Sequence, residues 1–380
     1  MKKVNFFIDD IPVEGSQGES IWTVAKRYGT TLPHLCYSDK PGYRADGNCR
    51  ACMVSVEGER VLAASCIRTP SEGMKVYTKD ERSSKSREMV IELLVTDQPK
   101  KEICHDPDSH FWQMADKVNV KKSRFDKRNP ETIPEADNSH VAMSVNLDAC
   151  INCNLCVRAC REVQVNDVIG MGNRGHTSQV IFDFNDPMGD STCVSCGECV
   201  QACPTGALME SNLLDEKGKK VVKPDRKVDS LCPYCGVGCQ LTYNIKGEKI
   251  VSVDGRDGPA NNNRLCVKGR FGFDYIHNPE RLTKPLIRKD GIPKDPKERI
   301  DPLNPLSHFR EATWDEALDL AASKLLKIRD SKNGKKALAG FGCAKGSNEE
   351  AYLFQKLVRT GFHNNNCLLY TSPSPRDVIQ

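Results

Sequence analysis

Eight of the 19 cysteines fall in two runs of identical spacing, CINCNLCVRAC at 150–160 and CVSCGECVQAC at 193–203. No other feature narrows the possible folds as far. Each run reads C-x2-C-x2-C-x3-C, and the second is followed by Pro204. Thiols this closely grouped suit one metal centre per run, and the duplication implies a pseudo-symmetric pair of centres. Disulfide pairing is not the expected use, because the start MKKVNFFIDD meets acidic residues before a secretory core could form.

At this spacing three thiolates clasp three irons of a cubane, and the fourth of each run ligates the opposite cluster. That rule groups Cys150, Cys153 and Cys156 with Cys203, and Cys193, Cys196 and Cys199 with Cys160. Tetrahedral zinc is the competing reading, but it has no need of two interleaved quartets. The lack of a Pro after Cys160 is a small departure from the bacterial pattern.

Two further quartets flank this pair. Cys36, Cys49, Cys52 and Cys66 read C-x12-C-x2-C-x13-C; the last three suit a 2Fe-2S loop, while the first gap is far longer than the plant-type x4. A structural zinc site is the alternative. Around them, the apolar strand VNFFI, a helix SIWTVAKRYG closed by Gly29 and the return CMVSVEG suit a small α+β sheet that favours iron. Cys232, Cys235, Cys239 and Cys266 read C-x2-C-x3-C-x26-C, with Gly236 and Gly238 letting the loop wrap a cubane; a zinc ribbon is the alternative here.

A chain of 380 residues is long enough for several domains. Residues 83–96, SSKSREMVIELLVT, have the period of an amphipathic helix, followed by a polar connector to Asp137. Near the end, TWDEALDLAASKLLKIRD predicts a helix with a Thr cap and Glu316 at capping-box distance. ALAGFG predicts a buried strand and NEEAYLFQKLVRTGF a second helix, together an α/β unit. The net charge of +4 is spread without a dense basic run, so no nucleic-acid partner is expected. No run approaches the roughly 20 apolar residues of a membrane span, and a cytoplasmic location is expected.

The string CPYCGVGC … NNNRLCVKGRFGFDYIHNPERLTKPLIR resembles the amino-terminal cluster region of the molybdopterin oxidoreductases, most of all formate dehydrogenase large subunits of the cytoplasmic NAD-linked type. The long-gap quartet resembles the 2Fe-2S domain that opens those subunits, complex I large subunits and iron-only hydrogenases. The resemblance runs from about Lys2 to Phe362. It implies an α+β multidomain chain: a β-grasp 2Fe-2S domain at 1–78, a helix and connector at 79–137, and a two-cluster 4Fe-4S domain at 138–215. A 4Fe-4S molybdopterin oxidoreductase domain at 225–282 and the start of an α/β pterin-binding domain at 283–362 follow.

By the same resemblance the complete protein interconverts formate and CO2 at molybdenum or tungsten held by bis-molybdopterin guanine dinucleotide. Electrons run through one 2Fe-2S and three 4Fe-4S clusters towards flavin- and NAD-binding partners. Lys268, two residues after the last Cys, takes the place of the lysine that relays electrons between cluster and pterin. The chain also departs from the pattern. Where relatives hold a cubane by one His and three Cys, only Cys104, His105 and His110 are present, so that cluster is expected to be missing and Cys104 an unligated thiol. Cys343 replaces the usual Ser and is expected to be a small buried residue, and Cys367, followed by Leu, does not match the metal-ligating Cys-His pair. The tail 363–380 is unlike the family and reads as an artefact. Alternatives are a complex I large subunit, an iron-only hydrogenase, a nitrate reductase and a stand-alone electron carrier. The intact fourth quartet with Val-Lys-Gly, and the lack of further Cys motifs soon after Cys203, weigh against the first two.

Overall fold

The computed structural model describes residues 2–367 except 128, 130–132, 296, 298 and 344, with His176 described by its backbone alone. Most of the tail read as unlike the family, 368–380, lies outside the described residues. The chain divides into two compact units, 1–230 with 239–271 and 231–238 with 272–380. Among the described residues no helix is long and apolar enough to cross a membrane.

The first unit opens with a hairpin, β1 (Lys3–Ile8) and β2 (Ile11–Ser16), turned by Asp9 and Asp10 at φ 48° and 63°. Two consecutive left-handed residues match the twist of the flanking strands, and Asp tolerates that conformation. Helix α1 (Ile21–Arg27) begins at Ser20, whose hydroxyl accepts the Thr23 amide, and Gly29 at φ 84° turns the chain away from it. Strands β3 (Met53–Val56), β4 (Ala63–Ala64) and β5 (Lys75–Tyr77) complete a sheet in the order β2-β1-β5-β3-β4, with only β1 and β5 parallel. Ile21, Trp22, Val24 and Ala25 pack on Phe6, Ile8, Val54 and Val76 in a core that includes Cys52 and Cys66. One helix gripped by a mixed sheet is the β-grasp arrangement.

Helix α2 (Glu81–Val95) starts slightly earlier than its period suggested, because the Asp80 carboxylate accepts the Ser83 amide and caps it. It buries Ser83, Arg87, Ile91 and Val95, one residue every turn. The stretch beyond, expected to be a polar connector, instead contains helix α3 (His110–Lys117). Its Phe111, Trp112, Met114 and Ala115 join Ile91 and Val95 in a second core, burial that outweighs the polar flanks.

The repeat region is built of β6 (Met143–Val145), α4 (Leu155–Arg158), β7 (Ile169–Gly172), β8 (Gln179–Phe182), α5 (Glu198–Ala202) and β9 (Leu208–Glu210). β6 pairs with β9 and β7 with β8, both antiparallel, so the region is closed by pairing its first strand with its last. Beyond it, β10 (Arg226–Leu231), β11 (Gln240–Lys246) and β12 (Lys249–Gly255) form a meander, followed by the short helix α6 (Val267–Phe271).

The second unit contains the ribbon β13 (Leu286–Arg288) with β14 (Phe309–Glu311), and helices α7 (Trp314–Arg329) and α8 (Asn348–Lys356). Thr313 caps α7 as expected, but Glu316 turns to Arg310 instead of completing a capping box; the complete box is at Ser347 and Glu350 of α8. The expected strand ALAGFG does not form. Gly340 makes a single bridge with Cys367 and Phe341 is largely exposed, since an apolar run becomes a strand only where neighbouring strands exist to pair with it.

Candidate iron–sulfur sites

The two repeats share a backbone device. Asn152 and Asn154 in the first run, and Ser195 and Gly197 in the second, all have positive φ, between 51° and 69°. The chain thereby curls its amides inward, and the Asn152 and Ser195 amides lie 3.4 and 3.3 Å from the sulfurs of Cys150 and Cys193. Amide donors of this kind stabilise anionic sulfur. Gly197 is required where Asn154 suffices, because a Cβ there would meet Arg270 and Phe271 at 2.9 Å.

Tertiary folding brings Cys203 to the first run and Cys160 to the second. Cys150, Cys153, Cys156 and Cys203 line one enclosed, largely apolar cavity with Leu147 and Leu208. Burial pushes the Cys153 thiol up, and the nearby sulfurs of Cys203 and Cys150 push it further. Cys199 is raised by burial and then by Cys196, Cys193 and Cys160, the other members of the second set. Four thiolates cannot share such a space uncompensated; cluster iron would supply the missing positive charge, so these donors fit the group. Among the described residues no three His, Cys, Asp or Glu side chains converge on a single-ion position.

The first quartet is also assembled. The sulfurs of Cys49 and Cys66 lie beside that of Cys36 and lower its pKa, and Cys66 lowers that of Cys52 in the same way. The Cys49 amide points at the Cys36 sulfur at 3.5 Å. Cys36 shares a small buried cluster with Cys153 and Leu155, so the first quartet and the first cubane set abut. Of the last quartet, Cys232 and Cys235 belong to the second unit and Cys239 and Cys266 to the first. Lys268 is exposed on α6.

Cys104, His105 and His110 each have a protein partner. The Cys104 thiol, raised to about 11 by burial, donates to the Lys101 carbonyl at 3.2 Å. The His105 ring bonds the Gly218 carbonyl at 2.7 Å and the Asp148 carboxylate at 2.8 Å, and His110 bonds the His34 carbonyl at 2.7 Å. Cys343, expected to be buried, is exposed shortly before the Ser347 cap, and its sulfur accepts the Lys345 amide at 3.4 Å.

Sequence reasoning overlooked a set of buried charges beside the cysteines. Arg270 and Glu198, each 1% exposed, pair at 3.3 Å, and Tyr43 donates to the same carboxylate at 2.8 Å. Arg270 also reaches the Cys196 carbonyl at 3.3 Å and the Val253 carbonyl at 3.0 Å. Arg158, 2% exposed, pairs with Asp46 at 3.1 Å. The available signal was a charge inside each ligand motif, Arg158 in CVRAC and Glu198 in CGEC.

Four domain families match in series. They are a 2Fe-2S iron-sulfur cluster binding domain at 1–81, a 4Fe-4S dicluster domain at 149–207, the molybdopterin oxidoreductase Fe4S4 domain at 225–278 and molybdopterin oxidoreductase at 281–374. The chain is 30% identical over 92% of its length to a Staphylococcus haemolyticus protein provisionally named a formate dehydrogenase, covering 37% of that relative. It is 32% identical over 94% of its length to an NADH-quinone oxidoreductase subunit of Rhizobium meliloti, covering 39% of it. Against the NADPH-Fe(3+) oxidoreductase subunit alpha of Geobacter sulfurreducens the identity is 28%, over 96% of this chain and 40% of that one. The chain thus spans about two fifths of the length of these relatives. The chain thus carries, in series, iron–sulfur domains followed by molybdopterin oxidoreductase domains.

Proposed function

We propose that the chain is the electron-carrying front of a molybdenum- or tungsten-dependent formate dehydrogenase subunit, linking a pterin-held metal to an NAD-reducing, flavin-bearing partner. Cys36, Cys49, Cys52 and Cys66 hold a 2Fe-2S cluster. Cys150, Cys153, Cys156 and Cys203 hold one cubane, Cys193, Cys196, Cys199 and Cys160 a second, and Cys232, Cys235, Cys239 and Cys266 a third. When bound, the pterin–metal group supplies the two-electron oxidation of formate to CO2 and a proton, and the clusters carry the electrons singly. The inward amides of Asn152 and Ser195 and the apolar walls at Leu147 and Leu208 hold the sulfurs away from water. Lys268 relays electrons between the last cluster and the pterin.

The observation that carries this reading is the single cavity lined by Cys150, Cys153, Cys156 and Cys203, because it joins a thiol 43 positions further on than the motif's own fourth cysteine to the first run. Formate as substrate is supported by the name of the Staphylococcus haemolyticus relative. The 32% identity to an NADH-quinone oxidoreductase subunit favours a second reading, an electron-transfer subunit of an NADH-oxidising complex. Anaerobic reconstitution should give about fourteen irons per chain and almost no zinc. A count near two thirds of that, or stoichiometric zinc, rejects the cluster assignment. In the full-length enzyme, cluster bleaching by formate supports the first reading, and bleaching by NADH but not formate the second.

A further inference from the structure

Arg158 occupies the junction between the first quartet and the first cubane set. It lies within the CVRAC motif, yet its guanidinium reaches across 122 positions to the Cys36 carbonyl at 2.6 Å. The same terminal nitrogen donates to the Cys153 carbonyl at 3.3 Å, so one nitrogen touches a ligand residue from each site. Another terminal nitrogen donates to the Arg44 carbonyl, and the Nε pairs with Asp46 at 3.1 Å. The side chain is 2% exposed and Asp46 14%, so this charge is weakly screened. Arg270 repeats the arrangement at the second cubane set, where it is paired with Glu198 and bonded to the Cys196 carbonyl.

A buried guanidinium costs several kcal/mol of desolvation unless paired, and packing alone would be met by an apolar side chain. What an arginine adds is a fixed fork joining two ligand loops, and a positive charge beside centres whose potential follows local charge and hydrogen bonding.

We propose that Arg158 is a positioning residue for electron transfer, holding the 2Fe-2S loop against the first cubane loop and keeping the 2Fe-2S cluster more readily reduced. The inference rests on the reading that the Cys36 and Cys150 sets hold clusters, and is independent of formate as substrate. In the step it serves, one electron leaves the reduced cubane, which is oxidised, and enters the 2Fe-2S cluster, which is reduced; no proton moves and no bond breaks.

The test is a mediated redox titration of the reconstituted full chain, followed by EPR, with chemical reductant only. Arg158→Gln removes the buried positive charge, leaving Asp46 with the largely exposed Arg44 as its counter-ion, and should lower the ratio of reduced to oxidised 2Fe-2S cluster about tenfold at fixed potential, a shift of ~59 mV for one electron. Asp46→Asn leaves the guanidinium uncompensated and should raise that ratio, while Arg158→Lys should recover part of the loss. A purely structural side chain would not give opposite signs in the two variants. Unchanged midpoints, or shifts of the same sign, overturn the proposal. Should Arg158→Gln fail to retain iron, Asp46→Asn decides it alone: a rise supports the proposal and no change rejects it. If the wild-type chain shows no 2Fe-2S signal, the ligand assignment itself has failed and the proposal with it.

Discussion

Arg158 and Arg270 are among the largest fully buried side chains, in the company of Trp22, Trp112 and Phe6. Charged residues are seldom found there without a partner, and each of these has a carboxylate and several carbonyls. Glu198 is the more exacting case, because burial raises its pKa while Arg270 works to keep it ionised. Glu198→Ala should leave Arg270 buried without its counter-ion and cost about 3–5 kcal/mol, read as a lower denaturant midpoint of the chain. The double change Glu198→Ala with Arg270→Met should recover much of that loss, since no charge then remains unpaired. None of these pairings was legible beforehand, because their members stand 72 and 112 positions apart and surface lysines and arginines are compositionally alike.

At the scale of elements, α2 was readable because the apolar residues of its second half, Val90, Ile91, Leu94 and Val95, recur at helical spacing, and Asp80 supplies a cap. α3 was not, because a two-turn helix in polar surroundings carries little periodicity; Phe111 and Trp112 betray it only once α2 offers a surface. The loop between them is pinned by His105 to Asp148 and Gly218. Burial disfavours the imidazolium, but the Asp148 carboxylate outweighs it, and the His105 pKa is raised. A group with a raised folded pKa stabilises the fold fully below its unfolded value and loses that contribution as pH rises through the folded one. His105→Gln should therefore lower Tm by about 2–4 °C at pH 5.5 and by clearly less at pH 8.5, measured by thermal melts at both values. An equal loss at the two pH values would make the contact a neutral hydrogen bond.

For the molecule as a whole, function depends on connecting centres that the chain presents in series. Lys268 sits exposed on α6, beside the quartet that ends at Cys266. In the full-length enzyme Lys268→Ala should slow formate-driven cluster reduction at least tenfold with iron content unchanged; an unaltered rate removes Lys268 from the path. The sequence by itself singled out which thiols are ligand candidates, because each set contains at least two cysteines within a few residues of one another and that spacing is written locally. It also determined the β-grasp elements, whose caps and alternation are local as well. Only the tertiary structure decided that Arg158 bonds ligand residues of two sites, and that ALAGFG joins no sheet among the described residues. Those outcomes depend on contacts between distant residues, whose free energy is set by burial and pairing after the chain has collapsed, and no local spacing encodes them.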